Sequence, residues 1–320
     1  MTAPASRLAQ LDGRFFLTDG GIETTLIFQD KFELPCFAAF PLLQTAPGMD
    51  ALRRYYTRHA SIARARGVGF VLESATWRAS ADWGARLGYS ARELEAANRA
   101  AIELLHTLRR ELETERSPMV ISGCVGPRGD GYRPGAMMSP GVAHTYHAAQ
   151  IRAFAAAGAD LATAITMTNS GEAIGIVRAA QAERLPVVIS FTVETDGRLP
   201  SGETLAEAIA AVDGETDGAA QYFMINCAHP SHFAGALSAE SAWVARIRGI
   251  RANASTCSHA ELDEAATLDA GDPVDLARWY RRLRERFGHL TVLGGCCGTD
   301  HRHIEHICDA CFVAEQERAS

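Results

Sequence analysis

Three cysteines stand in sequence settings that suit a metal-held thiol. They are Cys227 in Ile225-Asn226-Cys227, and the adjacent Cys296 and Cys297 in Gly294-Gly295-Cys296-Cys297-Gly298-Thr299. Three thiolates fit a tetrahedral zinc whose fourth position stays open, the arrangement of a catalytic rather than a structural site. A thiol entering that position is acidified to a thiolate at neutral pH. Three anionic ligands also leave the metal electron-rich, so the bound sulfur stays nucleophilic and suits attack on an activated methyl group better than hydrolysis. Adjacent residues of an extended strand point to opposite faces, so Cys296 and Cys297 share one ion only if the chain turns there. Gly294, Gly295 and Gly298 permit that turn. Thr299 or Asp300 then caps the next helix, whose N-terminal dipole favours thiolate over thiol. A lone cysteine is more often a small buried hydrophobe; a glycine-flanked pair matched by a third thiol is poorly explained that way.

Other groups carry weaker signals. Cys227-Ala228-His229-Pro230-Ser231-His232 offers a Cys/His set, but that set leaves the 296–297 pair without a role. His229 is therefore expected beside the site rather than on the metal. Cys308-Asp309-Ala310-Cys311 has redox-type spacing yet falls late in a terminal helix, where packing accounts for it. His301, His303 and His306 read as decoration of that helix. Trp77, Trp83 and Tyr89 form either an aromatic wall for a cationic methyl donor or ordinary core. Arg246, Arg248 and Arg251 read as a solvated or salt-bridged face. The chain has neither a dinucleotide-type glycine loop nor a Walker-type lysine motif.

The elements that must position these thiols follow from alternation. Short apolar runs at 15–19, 69–74, 119–123, 161–166, 187–192, 222–227, 247–252 and 290–294 predict eight strands. Segments at 49–66, 91–115, 140–157, 171–183, 204–213, 238–243, 273–287 and 300–314 predict the helices between them. Runs apolar on both faces imply a parallel sheet covered on both sides, and eight of them imply closure: an α/β chain folded as a (β/α)8 TIM barrel. The seventh run is the weakest, because arginines interrupt it. Cys227 and the 296–297 pair then lie at the carboxy-terminal mouth, where barrel active sites are built. The irregular stretches 126–139 and 196–203 follow the third and fifth strands to the same end.

Bulk composition is consistent with this. Of 320 residues 47% are hydrophobic and 22% charged, enough for one large core and unlike a disordered chain. No linker or composition break divides 1–320, so one domain is expected. The balance of 31 basic and 38 acidic residues, net −7, argues against nucleic acid as a partner. No apolar stretch is long enough for a membrane span, and Met1 to Arg14 lacks the apolar run of a secretory signal, so a cytoplasmic protein is expected. A reducing compartment favours metal ligands or buried thiols over disulfides among the eight cysteines.

These residues resemble the homocysteine S-methyltransferase family, zinc-dependent barrels that move a methyl group from an activated donor to homocysteine. Asn226-Cys227 and Gly294-Gly295-Cys296-Cys297-Gly298 match the family's two zinc motifs. Asp19-Gly20-Gly21 matches its strand-one motif, and Ser122-Gly123 with Gly126-Pro127 is similar to its strand-three loop. The resemblance implies that Cys227, Cys296 and Cys297 hold Zn2+, with no catalytic side chain needed beyond them. It implies that Asp19, Gly20 and Gly21, with Asn226 among the substrate contacts, receive the acceptor's amino-acid end through a carboxylate and exposed backbone N–H groups. One departure is visible. The family's fourth strand typically ends in Glu-Thr, whose Glu helps bind the acceptor's ammonium; here Ile165 precedes Thr166. Glu73 and Glu194 are the candidate substitutes.

The expected partners are a small thiol, most simply homocysteine giving methionine, and a small donor resembling S-methylmethionine or a betaine. A homo-oligomer is compatible with the sequence. The alternatives are the same chemistry on another thiol, a zinc hydrolase or lyase using Glu73 as base, and a zinc- or thiol-binding barrel without turnover.

Overall fold

The computed structural model describes residues 8–133, 135–265 and 267–313. Residues 1–7 of the amino-terminal stretch and Ala314, the expected end of the last helix, lie outside the described residues. Eight parallel strands close into a ring in chain order. They are β1 (Phe16–Leu17), β2 (Gly69–Glu73), β3 (Met119–Val125), β4 (Leu161–Met167), β5 (Val187–Phe191), β6 (Phe223–Asn226), β7 (Ile247–Ala252) and β8 (Val292–Gly295). The ring shuts where β8 pairs with β1.

The larger helices are α2 (Ala46–Arg66), α4 (Ala91–Leu112), α5 (Pro140–Ala156), α6 (Ser170–Ala182), α7 (Leu205–Thr216), α10 (Pro273–Arg286) and α11 (His301–Cys308). Shorter ones are α1 (Ile22–Phe28), α3 (Ala81–Arg86), α8 (Pro230–Phe233) and α9 (His259–Glu264). Their starts are written locally. Ser90 with Glu93, and Thr204 with Glu207, form capping boxes that satisfy orphan N–H groups at the heads of α4 and α7. None of the described helices is long and apolar enough to cross a membrane.

The strands are buried on both faces, as the apolar runs predict; in β7 only Arg248 is partly exposed. The two faces nevertheless differ. Outward residues pack with the helices into one core. Inward, Phe16, Val71, Val120, Leu161, Val188 and Val292 seal the amino-terminal end of the ring. Farther along the same strands the inward positions turn polar. Ser122 Oγ lies 3.2 Å from a Glu73 oxygen and 2.7 Å from Thr163 Oγ1, and Ser190 Oγ donates to Asn226 Oδ1 at 2.6 Å. The barrel is thus an apolar plug below and a hydrogen-bonded cup above.

The expected helix at 238–243 is replaced by α8 and a 3-10 turn, Ala242–Arg246, that leads into β7. The short α1, α3 and α9 are additions at the mouth and over the barrel's side, too brief to show a helical period.

Candidate active site and metal centre

The thiols meet because two strand ends, those of β6 and β8, bring them together at the mouth. Cys227 follows β6 with φ at +52°, a left-handed value uncommon for a residue with a Cβ. Its carbonyl is fixed by Asn253 Nδ2 at 3.0 Å and by a ring nitrogen of His259 at 2.7 Å. Asn226 Oδ1 accepts from the Thr166 N–H at 2.9 Å while Asn226 Nδ2 donates to Thr166 Oγ1 at 2.8 Å, which ties β6 to β4 just below Cys227. After β8 the chain turns over Cys296–Thr299, closed by the Thr299 N–H donating to the Cys296 carbonyl at 3.1 Å with Gly298 at φ +79°, and both Cys296 and Cys297 lie within that turn. The Asp300 side chain caps α11, accepting from the Arg302 N–H.

The Sγ atoms of Cys227, Cys296 and Cys297 all lie within 4.8 Å of one another. Cys227 and Cys297 are 4.0 Å apart, and Cys227 and Cys296 are within disulfide reach, with Cα atoms 5.4 Å apart. Thiolates on a tetrahedral zinc at ~2.3 Å stand roughly 3.8 Å apart, so this all-sulfur set suits such an ion in donor type and number once the Cys227 and Cys296 sulfurs, here in contact, move apart. Burial pushes the Cys297 thiol up to about 11, and a hydrogen bond from the Tyr132 hydroxyl, 3.5 Å away, works the other way. Without a cation this thiol stays protonated at neutral pH; a bound divalent ion reverses that.

A cavity of about 380 Å³ opens beside the sulfurs. Phe28, Phe37, Trp77 and Ile165 give it apolar walls, and Tyr132 from the loop after β3 lies over Cys297. Tyr132 stacks on His259, with ring centroids 4.0 Å apart. The cavity also holds charge. Arg251, 6% exposed, reaches inward from β7, donating to Asp19 Oδ1 at 2.5 Å, to Glu73, and to the Gly295 carbonyl at 3.1 Å. Burial opposes its charge, but Asp19 and Glu73 outweigh that and hold the guanidinium firmly protonated. Arg78, also 6% exposed, lies between Trp77 and Trp83, 4.0 and 3.7 Å from the ring centroids. Burial lowers it to about 10, against the pull of Asp130 and Glu23. Glu23, on α1, is pushed up to about 7 by burial, helped by the charge of Asp19 and opposed by its own backbone N–H and by Arg78 and Arg251.

Several expectations are redrawn by this geometry. Asp19, Gly20 and Gly21 do line the cavity, but the Asp19 carboxylate is held by Arg251 and the Gly21 N–H donates to the Thr299 carbonyl at 3.0 Å. That N–H is spent inside the protein rather than exposed to a ligand. A Cβ on Gly21 would stand 2.5 Å from the Cys296 carbonyl oxygen, so this glycine serves close approach of the first strand's end to the cysteine turn. Asn226 is fully buried and braces Thr166 instead of lining the cavity. Glu73 is bound to Arg251. Glu194 lies 3.1 Å from a ring nitrogen of His259 and does not line the cavity. His229 caps α8 and stands outside the sulfur cluster.

The aromatic wall is partly realised: Trp77 lines the cavity, Trp83 backs Arg78, and Tyr89 packs edge-on against Phe40. Arg251 is no surface arginine. His303 is no decoration either, being fully buried with Nδ1 accepting from the Asp300 N–H at 3.1 Å. Sequence reasoning missed Glu23, Arg78, Tyr132 and Arg251. The arginine had a signal: a charge at an inward position of an otherwise apolar strand needs a buried partner.

A closed eight-strand parallel barrel with three thiols converging at its carboxy-terminal mouth defines a class: barrel enzymes whose cysteine cluster can hold a metal ion. The family model for homocysteine S-methyltransferase matches residues 16–311, and the chain belongs to that family; it is a methyltransferase. Among solved structures it is similar to the Escherichia coli homocysteine methyltransferase MmuM. The metallated form aligns at 20% identity and a TM-score of 0.74, over 95% of this chain and 99% of that one. The oxidized form aligns at 19% and 0.73, over 96% and 99%. The apo form aligns at 18% and 0.66, over 96% and 100%. At these identities the likeness speaks for the fold. No curated protein sequence matches the chain significantly.

Proposed function

We propose that this protein is a zinc-dependent S-methyltransferase that moves a methyl group from a small activated donor, of the S-methylmethionine or betaine kind, to the thiol of homocysteine, giving methionine. The observation that carries the reading is the convergence of Cys227, Cys296 and Cys297 at the mouth of a barrel of this family. These three residues would hold the zinc, and the bound ion would supply Lewis acidity that keeps the acceptor sulfur ionised at neutral pH. The chain does the rest. Phe37, Trp77 and Ile165 exclude water from the approach to the sulfurs. The Tyr132 hydroxyl donates to Cys297 Sγ and stands over one side of the cluster.

In the transfer, a sulfur–methyl bond forms on the acceptor as the donor's bond to that methyl breaks. The donor's electron pair stays with it, so a cationic donor leaves neutral. A hydrolytic reading is less well supported, because Glu73, its candidate base, is held by Arg251. A cytoplasmic setting and a role in methionine biosynthesis belong to the same proposal, since a reducing compartment leaves the three thiols free for metal.

The test is incubation of reduced, zinc-loaded protein with homocysteine and each donor, followed by mass spectrometry. Methionine should form, and Cys297→Ala should lose both most of its zinc and its turnover. Full zinc retention in both Cys296→Ala and Cys297→Ala, or failure of every thiol and donor pair to give a methylated product, overturns the reading.

A further inference from the structure

The charged groups lining the cavity sort into those already satisfied and those left over. Asp19 and Glu73 share Arg251. Asp269 accepts from the Gly271 N–H at 3.0 Å. Asp130 accepts from the Tyr132 N–H at 2.8 Å, and Asp263 lies 3.8 Å from Arg133. Glu23 lines the same cavity, and among the described residues no other side chain donates to its carboxylate or stands in ion-pair contact with it. Of the two arginines there, Arg251 directs its Nε and both Nη atoms at protein oxygens. Arg78 does not. Its Nη1 donates to the Gly129 carbonyl at 2.8 Å, its Nη2 stands 3.9 Å from Asp130, beyond hydrogen-bond length, and its buried Nε has no partner.

One carboxylate and one guanidinium therefore face a common cavity beside the sulfurs, influencing each other without touching. Arg78 is buried and Glu23 partly buried, and each would gain a partner from a ligand of opposite charge. A ligand that offers both charges at once, a short distance from a thiol, is an α-amino acid with a sulfur-bearing side chain. We propose that Glu23 and Arg78 form the amino-acid end of the acceptor site, Glu23 receiving the ammonium and Arg78 the carboxylate, while the acceptor's sulfur reaches Cys227, Cys296 and Cys297. This rests on the methyltransferase reading above and assigns the recognition of its substrate. On this assignment the carboxylate absent at Ile165 is supplied from α1, and the Trp77 and Trp83 rings, 4.0 and 3.7 Å from the guanidinium carbon, restrain Arg78 at the cavity wall.

The experiment is isothermal titration of reduced, zinc-loaded protein with three thiols: homocysteine, γ-mercaptobutyrate, which lacks the ammonium, and mercaptopropylamine, which lacks the carboxylate. The unaltered protein should bind homocysteine at least about tenfold more tightly than either analogue, the size expected of one charge-assisted hydrogen bond. Glu23→Gln should erase the advantage over γ-mercaptobutyrate and leave that analogue's affinity unchanged. Arg78→Gln should erase the advantage over mercaptopropylamine and leave that one unchanged. Arg78→Lys, which keeps the charge but not the fork, should lose affinity only for the two carboxylate-bearing thiols, and it serves the same purpose if Arg78→Gln fails to fold. Equal affinity of all three thiols for the unaltered protein, or a loss in the variants that falls on all three alike, overturns the assignment. Absence of binding by every thiol overturns the acceptor reading itself, whereas tight binding indifferent to both end groups overturns only the roles of Glu23 and Arg78.

Discussion

Glu23 sits four residues beyond Asp19, and the two carboxylates have opposite fates. Asp19 is locked to Arg251, while Glu23, pushed up to about 7 by burial, is half-ionised near neutrality. Asp19, Arg78 and Arg251 are the charges that act on it. A carboxylate attracts an ammonium only when ionised, so the affinity for homocysteine relative to γ-mercaptobutyrate should climb as pH rises from about 6 to 8. Taking the ratio cancels the thiol's own ionisation, which both ligands share. In Glu23→Gln the ratio should be flat across that range; a ratio that still climbs would assign the titration to another group. The sulfur cluster was legible in the sequence because cysteine in a glycine-rich turn has few other uses. The charged end was not. Arg251 meets Glu73 across 178 residues, and nothing local to either residue announces the pair.

At the scale of elements, strands were the easiest to read, because burial on both faces leaves short unbroken apolar runs. β7 survived its arginines since Arg251 points into the polar cup and Arg248 stays partly exposed. The 238–243 segment misled because its few apolar residues serve a turn into β7 instead of a helical face. The glycines around the cysteines also do different work from that read in sequence. A Cβ on Gly294 would fall 1.8 Å from Thr18 Oγ1, and one on Gly295 would fall 2.0 Å from Thr299 Oγ1. Those two glycines record how tightly β8 packs on its neighbours; Gly298 alone supplies the left-handed turn. Gly294→Ala should therefore destabilise the protein by about 1–3 kcal/mol in chemical denaturation, as overpacking does. Gly288→Ala, where an added Cβ meets nothing within 4 Å, is the control and should be near neutral. Equal stability of the two variants would mean that β8 has room to shift.

For the whole molecule the weak point of the ring is its shortest strand. β1 contributes two residues, Phe16 and Leu17, to its register with β2 and the same two to its register with β8. Just past this short ladder, Arg251 joins Asp19 after β1, Glu73 ending β2 and Gly295 ending β8. Arg251→Met strands two buried carboxylates and should cost about 3–5 kcal/mol. Hydrogen exchange should then quicken at the Thr18 and Gly295 amides before it quickens in β4 and β5; uniform exchange would show that the seam does not depend on this side chain. A side chain thus serves as the clasp of the barrel. An engineer who wants this enzyme to take a different thiol has two kinds of position in the same cavity. Arg251, Asp19 and Glu73 belong to the architecture, and changing them loosens the ring; Glu23 and Arg78 stand clear of the clasp and are the positions at which selectivity can drift while the ring stays shut.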